Sequence, residues 1–324
     1  MLRDYLRARG LEVTAQWPRM RVLSGGVSNR AVWVTWPSGE AWVMKQALAK
    51  LRVAVDWFSS PERIHREALG LRWLAELAPP GVITPLVFED HEQHVLAMQA
   101  VPLPHENWKT MLLAGTVSPD HARQFGQLLG TVHRASHDRA GEFAPIFDDT
   151  SFFESLRLEP YYLYTATQVP EAADFLNHLV DDTRARRRTI VHGDYSPKNV
   201  LVHQDRLVLL DHEVIHWGDP GFDAGFSLTH LLSKAHHLPQ HRDQFGQAAA
   251  LYWTTYRALA GDLADEARAV RHTLACLLAR VCGRSPLEYM DATERARQRA
   301  AVVSLLAAPP HSVDQLIKDF LACL

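Results

Sequence analysis

Three polar side chains suited to phosphoryl transfer lie close together in the second half of the chain. Asp194 follows a short apolar run in TIVHGDYSPKN, Asn199 comes five positions later, and Asp211 follows the apolar run LVLL. One carboxylate could orient a hydroxyl group and accept its proton, while the second carboxylate and an amide oxygen could hold Mg²⁺ against nucleotide phosphates. The alternative is that Asp194 and Asn199 only form turns. A hairpin that places Asp211 beside them favours the chemical interpretation.

The sequence around these residues resembles a known enzyme family. HGDYSPKN and LLDHE are similar to motifs of the aminoglycoside phosphotransferases and choline kinases, which are small-molecule kinases related in fold to protein kinases. The resemblance covers roughly residues 15 to 260. It implies that Asp194 is the catalytic base and that Asn199 and Asp211 are Mg²⁺ ligands. It also implies that His192 is a structural member of the catalytic loop.

Lys45 is notable because only six of the 34 basic residues are lysines. It lies in the apolar strand WVMKQA, where a kinase needs an ammonium group beside the α- and β-phosphates of its nucleotide. The alternative is an edge-strand lysine with its head in water. The family pattern implies Glu67, on the following helix, as its partner. Glu62 is the less favoured partner, because a carboxylate in the first turn of a helix is already stabilised by the helix dipole.

The segment SGGVSNR, residues 24 to 30, resembles the phosphate-covering hairpin of the family. Gly25 and Gly26 are adjacent, which departs from the spacing G-x-G-x-x-G, and a plain hairpin is the commonest meaning of two glycines. The family often shows a G-x-S-N run similar to the one here. In that role Ser28 or Asn29 would donate hydrogen bonds to phosphate oxygens.

Further assignments also depend on the resemblance. The hinge between the lobes, where backbone groups would meet adenine, falls at Gln99, Ala100 and Val101, unless a core strand simply ends there. Asp223 would hold the backbone of the catalytic loop in place, and a helix N-cap role alone would also explain it. Lys198 could reach the γ-phosphate or the acceptor. Protein kinases carry their catalytic-loop lysine nearer the catalytic aspartate, so the equivalence of Lys198 stays open.

The hydrophobic pattern changes from mostly strand-like to mostly helix-like near residue 104. Together with the resemblance, this predicts an α+β, protein-kinase-like fold of two lobes. The small antiparallel-sheet lobe would span residues 1–101, and the mainly helical lobe, with the catalytic loop and the acceptor site, would span residues 102–324. The predicted elements are strands at 20–23, 31–36, 41–46, 82–88 and 94–101, a helix at 59–77, helices within 118–137, 151–187, 223–238, 241–260, 263–282 and 291–307, and short strands within 189–213.

Composition limits the possible partners and location. The 324 residues carry a formal net charge of −3, so a sequence-independent grip on nucleic acid is not expected. No apolar run reaches the roughly 18 residues of a membrane span. The charged start MLRDYLRARG lacks the apolar core of a signal peptide. Three cysteines are expected as buried free thiols, which favours a cytoplasmic location. The histidines near the end of the helix at 223–238 are expected on its surface, not as zinc ligands.

These features predict an enzyme that uses ATP and Mg²⁺ to phosphorylate a hydroxyl group of a small molecule. The resemblance includes kinases of aminoglycosides, choline, methylthioribose and homoserine, so a sugar, amino alcohol or aminoglycoside-like acceptor is open. Oligomeric state and the choice between ATP and GTP are open as well. One alternative is a protein kinase, which the HGD sequence and the lack of an APE-like segment after Asp211 disfavour. The other is a catalytically silent nucleotide-binding regulator, which the intact Lys45 and Asp194 disfavour.

Overall fold

The first hundred residues build a five-stranded antiparallel sheet and one long helix. The structure, a computed structural model, describes residues 2–11, 17–23, 28–52 and 58–324, so the predicted hairpin residues Gly25 and Gly26 lie outside the described residues. The elements of this part are α1 (Leu2–Ala8), β1 (Arg19–Leu23), β2 (Asn29–Thr35), β3 (Ala41–Ala47), α2 (Arg63–Leu77), β4 (Leu86–Asp90) and β5 (Val95–Gln99). The strand order β1-β2-β3-β5-β4 places the strands predicted at 20–23, 31–36 and 41–46 side by side, with β3 in the middle of the sheet.

The two predicted element starts that differ most from the structure both lie near a proline. The helix predicted at 59–77 begins at Arg63, two residues after the proline of the sequence SSPE. The strand predicted at 82–88 begins at Leu86. Pro85 explains the second difference, because it has no N–H to donate to the ladder and so does not extend a paired strand.

The remainder of the chain is mainly helical, as predicted. Its helices are α3 (Trp108–Leu113), α4 (Pro119–Asp138), α5 (Ala140–Ile146), α6 (Ser151–Phe153), α7 (Tyr164–Gln168), α8 (Ala173–Ala185), α9 (Pro220–His237), α10 (Arg242–Ala260), α11 (Glu266–Cys282), α12 (Ala292–Ala307) and α13 (Val313–Ala322). A π-helical segment, Glu154–Leu163, joins α6 to α7. The predicted start of α4 is correct, since Ser118 caps it by accepting a hydrogen bond from the His121 N–H.

Short strands interrupt the helical part and frame the candidate site. They are β6 (Glu106–Asn107), β7 (Thr189–Val191), β8 (Val200–His203), β9 (Arg206–Leu209) and β10 (His216–Gly218). Strands β8 and β9 form an antiparallel hairpin, β6 pairs with β8, and β7 pairs with β10. The HGDYSPKN loop therefore connects two strands of different small sheets, and the LLDHE segment leaves the hairpin at the same end.

Helix α9 lies at the centre of the helical part, where it packs against α10 and α11. Seventeen of its eighteen residues are buried. The expectation of a surface-like helix end is therefore wrong for His230 and His236, which are both buried. Of the three thiols expected to be buried, Cys276 is buried, whereas Cys282 is half-buried and Cys323 is exposed.

One apolar core runs through both parts of the molecule. It includes Ile64 and Leu71 of α2 together with residues of the central helices, such as Phe222 and Leu278. The predicted division of the chain into two lobes near residue 101 therefore stays a prediction, because the apolar core is continuous across that position. Among the described residues, no helix combines the length and the apolar character that crossing a lipid bilayer requires.

Candidate active site

The three candidate phosphoryl-transfer residues converge at one end of the β8–β9 hairpin. The Asn199 amide nitrogen donates to Asp194 Oδ2 at 2.7 Å and to the Asp194 carbonyl oxygen at 3.0 Å. The Leu210 N–H donates to the Asn199 carbonyl oxygen at 2.9 Å, which ties the segment leading to Asp211 to the same loop. Because these bonds use the Asn199 amide nitrogen, its amide oxygen is the atom left to bind a cation.

Asp211 combines an unusual backbone with a stabilised negative charge. Its φ of 68° lies in the left-handed region, which is uncommon for a residue other than glycine and often marks a functional site. Burial alone would raise the Asp211 pKa, but the charges of Lys45 and Lys198 outweigh burial and hold that pKa well below its usual range. The ionised carboxylate is the form that binds a divalent cation.

Lys45 connects the sheet, helix α2 and the LLDHE segment. Its Nζ donates to Glu67 Oε1 at 2.5 Å and to Asp211 Oδ1 at 3.0 Å, so Glu67, not Glu62, is its partner. Strand β3 is paired on both sides, which removes the edge-strand interpretation. Burial alone would lower the Lys45 pKa, but the two carboxylates raise it above the usual value. Burial raises the pKa of Glu67 to about 7 against the opposing effect of Lys45.

Helix α9 holds the backbone of the HGDYSPKN loop. Asp223 accepts hydrogen bonds from the His192 N–H at 2.6 Å and from the Gly193 N–H at 2.9 Å. Gly193 has a φ of 75°, which favours glycine at this position. The His192 ring accepts a hydrogen bond from the Asp194 N–H at 3.2 Å. Asp219, not Asp223, caps the helix, so Asp223 is available to the loop.

Ser28 and Asn29 are buried at the edge of the site, where they meet two charged residues that the sequence interpretation missed. The Asn29 amide nitrogen donates to Glu213 Oε2 at 3.3 Å and to Ser28 Oγ at 3.2 Å. Arg63, which has no exposed surface, lies with its Nε 3.2 Å from Glu213 Oε2 and donates to the Ser28 carbonyl oxygen. Arg63 and Glu213 therefore fix the end of the predicted phosphate-covering hairpin against helix α2.

The predicted hinge follows directly from strand β5. The N–H groups of Gln99 and Ala100 donate to the carbonyl oxygens of Pro85 and Ala41, at 2.9 Å each. Within the described chain no backbone carbonyl accepts the Val101 N–H. The Val101 N–H is therefore the donor of this segment that a bound base could use.

Arg157 is a site residue that the sequence interpretation missed altogether. It lies in the π-helical segment with its Nη2 3.0 Å from Asp194 Oδ2, and its Nε donates to the Gly193 carbonyl oxygen at 2.7 Å. Burial alone would lower the Arg157 pKa, but Asp194 raises it, so the guanidinium is charged. The available signal was an arginine inside the aromatic and apolar run FFESLRLEPYYL.

Lys198 lies in the same loop as Asp194 and Asn199, and it is exposed to solvent. Desolvation of its ammonium group by the surrounding protein would lower the Lys198 pKa, but the carboxylates of Asp194 and Asp211 raise it. Among the described residues, no carboxylate oxygen lies within 4.0 Å of its Nζ. Lys198 is thus a positive charge beside the site that is not committed to an ion pair.

The sequence as a whole matches a known family. A sequence model of the phosphotransferase enzyme family (APH) matches residues 19–261, well over half of the chain. The chain therefore belongs to the phosphotransferase enzyme family, and the resemblance found from its motifs is confirmed.

Individual relatives and solved structures agree with this assignment. The methylthioribose kinase of Pectobacterium carotovorum is 25% identical over 227 residues, which cover 61% of this chain and 55% of the relative. This chain thus spans little more than half the length of that curated relative. The macrolide 2'-phosphotransferase MphH from Brachybacterium faecium is similar in structure, with a TM-score of 0.54, 18% identity and coverage of 96% of this chain and 99% of that one. Amicoumacin kinase hAmiN, solved with AMP-PNP, Ca²⁺ and Ami, gives a TM-score of 0.57 at 13% identity, covering 98% and 96%. The predicted α+β, protein-kinase-like fold is confirmed by these likenesses.

Proposed function

We propose that this protein transfers the γ-phosphoryl group of ATP, in the presence of Mg²⁺, to a hydroxyl group of a small molecule. The observation that carries the proposal is that Asn199 bonds to Asp194, Lys45 bonds to Asp211, and the Leu210 N–H joins the two segments. The relatives named above are kinases and phosphotransferases of small molecules, and one was solved with an ATP analogue and a divalent cation. These names support a small-molecule acceptor over a protein acceptor.

The donor set at the site fits Mg²⁺. Asp211 offers an ionised carboxylate and Asn199 an amide oxygen, and Mg²⁺ prefers such hard oxygen ligands. When bound, the cation would neutralise charge that develops on the phosphate oxygens. Lys45 would bind the α- and β-phosphates, with Glu67 fixing the direction of its ammonium group.

Asp194 is the proposed catalytic residue. Its carboxylate would orient the acceptor hydroxyl group and accept the proton as the oxygen attacks phosphorus. Asn199 and Arg157 both contact Asp194 Oδ2, so that oxygen is held in place and Oδ1 is the freer one. His192 and Asp223 would act as positioning residues, because they hold the loop backbone and do not touch the reacting atoms.

The remaining contacts would come from backbone groups and small side chains. Val101 would offer its N–H to the nucleotide base, with Gln99 and Ala100 shaping the hinge. Ser28 and Asn29 would border the phosphates, and Gly25 and Gly26 would cover them. Lys198 would lie between the γ-phosphate and the acceptor.

Two variants test the separate roles of the carboxylates. A panel of sugars, amino alcohols and hydroxy acids is first screened for acceptor-dependent ADP release. Asp194→Asn should then reduce turnover by about 10²–10⁴-fold, as expected for loss of a general base, with little change in ATP affinity. Asp211→Asn should instead abolish the Mg²⁺-dependent part of ATP binding together with turnover.

Binding is measured by thermal shift with ATP, with and without Mg²⁺, since a ligand of the folded state raises its stability by mass action. Normal turnover in Asp194→Asn, or full Mg²⁺ dependence in Asp211→Asn, would contradict the assigned roles. Nucleotide binding without ADP release from any acceptor would favour a catalytically silent regulator.

A further inference from the structure

A series of basic and aromatic side chains leads away from Asp194 through Arg157. The Arg157 guanidinium lies 5.6 Å from the centre of the Tyr161 ring, and the Arg280 guanidinium lies 5.6 Å from the same ring. Arg280 Nη1 also donates to the Tyr161 hydroxyl at 3.1 Å, to the Ser285 hydroxyl at 2.9 Å and to the Ser285 carbonyl oxygen. The Arg280 Nε is buried with no hydrogen-bond partner among the described residues. Arg280 therefore has unused donor capacity close to the proposed catalytic residue.

Lys234 is a second cation in the region of Arg280. It has no exposed surface, and its Nζ makes one hydrogen bond, to the His230 carbonyl oxygen at 3.1 Å. Within the described part of the chain no carboxylate oxygen lies within 4.0 Å of it. Its Nζ lies 5.5 Å from the Tyr289 ring. A buried lysine without a carboxylate destabilises the fold, because it must be held charged without a counter-charge or be neutralised.

The pKa shifts in this region follow from burial and from the neighbouring charges. Burial together with the positive charges of Lys109 and Arg280 lowers the Lys234 pKa to about 7, against the opposing effect of the Glu288 carboxylate. Burial also lowers the pKa of His230 well below its usual value. Four cations contribute to that lowering: Lys234, Arg280, Lys109 and Lys198.

The ion pairs around the site do not use all of its cations. Glu67 and Asp211 both contact Lys45. Arg157 pairs with Asp194, and Lys109 pairs with Glu288. After these pairs are formed, three cations have no carboxylate within 4.0 Å in the described residues: Lys198, Lys234 and Arg280.

We infer that the acceptor carries a carboxylate or a phosphate ester close to its reactive hydroxyl group, and that Lys198 and Arg280 bind this anion with Lys234 adding positive charge behind them. The inference rests on the proposed kinase function and names the acceptor class. A cationic acceptor, such as an amino alcohol, would meet unpaired positive charges here and would be repelled. A bound anion would supply the counter-charge that Lys234 and Arg280 lack.

Acceptors that differ only in charge test the inference. One set is D-glycerate, glycerol and 3-amino-1,2-propanediol, and a second is D-gluconate, D-glucose and D-glucosamine, with glycerol 3-phosphate added to separate phosphate esters from carboxylates. For each compound the thermal shift and the ADP-release kcat/KM are measured at one low ionic strength, because salt screens exposed charges. In at least one set the acid should exceed the neutral compound by about tenfold in kcat/KM, which corresponds to about 1.4 kcal/mol, and the amine should be lowest.

Variants that remove a positive charge identify the residues responsible for the preference for acidic acceptors. Lys234→Met keeps the length of the side chain, and Arg280→Gln removes the guanidinium, and each should reduce the acid-to-neutral ratio by about tenfold. Arg280→Lys, which keeps the charge, should restore part of the ratio. The matched control is Lys318→Met, an exposed lysine on α13, which should leave the ratio unchanged.

The outcomes separate this inference from the proposed function. Thermal shifts that are no larger for the acids than for their neutral and cationic counterparts in both sets would overturn the inference, even if another acceptor released ADP. So would a ratio that Lys234→Met and Arg280→Gln leave unchanged. A larger shift with the acids that Arg280→Gln removes would support anion binding even if no compound released ADP, and only the kinase proposal would then fail.

Discussion

Lys45 shows how charge and burial are combined at the level of single residues. Its ammonium group lies between Glu67, which is completely buried, and Asp211, which faces the proposed nucleotide site. A raised Glu67 pKa of about 7 means that this carboxyl group can take up a proton near neutral pH. The fold can therefore tolerate loss of Lys45, because Glu67 can be protonated when its positive partner is absent. Bound nucleotide phosphates would stay negatively charged and would lose their contact with the ammonium group.

The substitution Lys45→Met should accordingly separate binding from folding. Loss of a charge-assisted contact of about 1.5–3 kcal/mol predicts about a 10- to 100-fold loss of ATP affinity. Circular dichroism should retain the folded signal, and Lys318→Met serves as the control for removing a lysine. If the variant loses the folded signal, Lys45 is a structural residue and not a phosphate ligand.

Residue types and the family resemblance together were enough to find part of the site. The rarity of lysine drew attention to Lys45, and the family pattern implied Glu67 as its partner, a contact that the structure contains. Arg157 was missed because its contact with Asp194 joins segments 37 positions apart, and nothing in its own neighbourhood marks it. Lys234 had the same rarity as Lys45 and lies in an apolar helix, so the same reasoning applied to it would have drawn attention to it.

At the level of elements, helices α4 and α10 are in contact through their backbones. A Cβ atom added at Gly126 would lie 2.5 Å from the Tyr252 carbonyl oxygen, and one at Gly130 would lie 2.9 Å from the Tyr256 carbonyl oxygen. Helix propensity alone favours alanine over glycine by about 1 kcal/mol. Close packing here therefore outweighs propensity, because backbone atoms cannot move aside as a side chain can.

Gly126→Ala should lower the free energy of unfolding by about 1–3 kcal/mol, as overpacking usually does. The matched control is Gly141→Ala in α5, where an added Cβ meets no atom within 4 Å. This variant should raise the free energy of unfolding by about 0.5–1 kcal/mol. Chemical denaturation of both variants measures the difference. Two changes of the same sign would show that propensity or the unfolded state, and not the α4–α10 contact, determines the result.

Long helices were predictable and irregular ones were not. The stretch predicted as mostly helical at 151–187 contains the π-helical segment that places Arg157, with Pro160 inside it. The wider turns of this π-helical segment depend on its packing against α8 and α11. The local sequence pattern carries no information about that packing. The burial of α9 was likewise not predicted, because the histidines near its end were interpreted as those of a surface helix end.

Buried histidines make the folded state of the whole molecule less stable at acidic pH. His216 is buried, its ring is stacked on Phe153 with ring centres 4.0 Å apart, and one ring nitrogen donates to the Val214 carbonyl oxygen at 3.0 Å. Burial lowers the His216 pKa from 6.5 to about 4. The unfolded chain therefore binds a proton here before the folded chain does, so the folded state loses stability as the pH falls from 6.5 to 4.

The free energy of unfolding should consequently fall between pH 7 and pH 4.5, with His216 contributing on the order of 3 kcal/mol by pH 4. The variant His216→Asn retains a donor near the Val214 carbonyl oxygen and does not titrate. It should be less stable than the parent at pH 7 but should lose less stability on acidification. Urea denaturation at both pH values measures the two losses, and equal losses would exclude His216 as a contributor. Other buried histidines, whose pKa values are also lowered with burial as the main cause, should add to the loss: His192, His212, His230, His236 and His272.

Helix α9 has a consequence for how this sequence can diverge. With seventeen of eighteen residues buried, it has almost no position where a change meets only water. A new side chain there alters a contact with a neighbouring helix, and substitutions at contacting residues are not additive. A change that is harmful alone can become acceptable once its neighbour in α10 or α11 has also changed. The order in which substitutions arise therefore restricts the evolutionary routes open to this helix more than to the exposed helices around it.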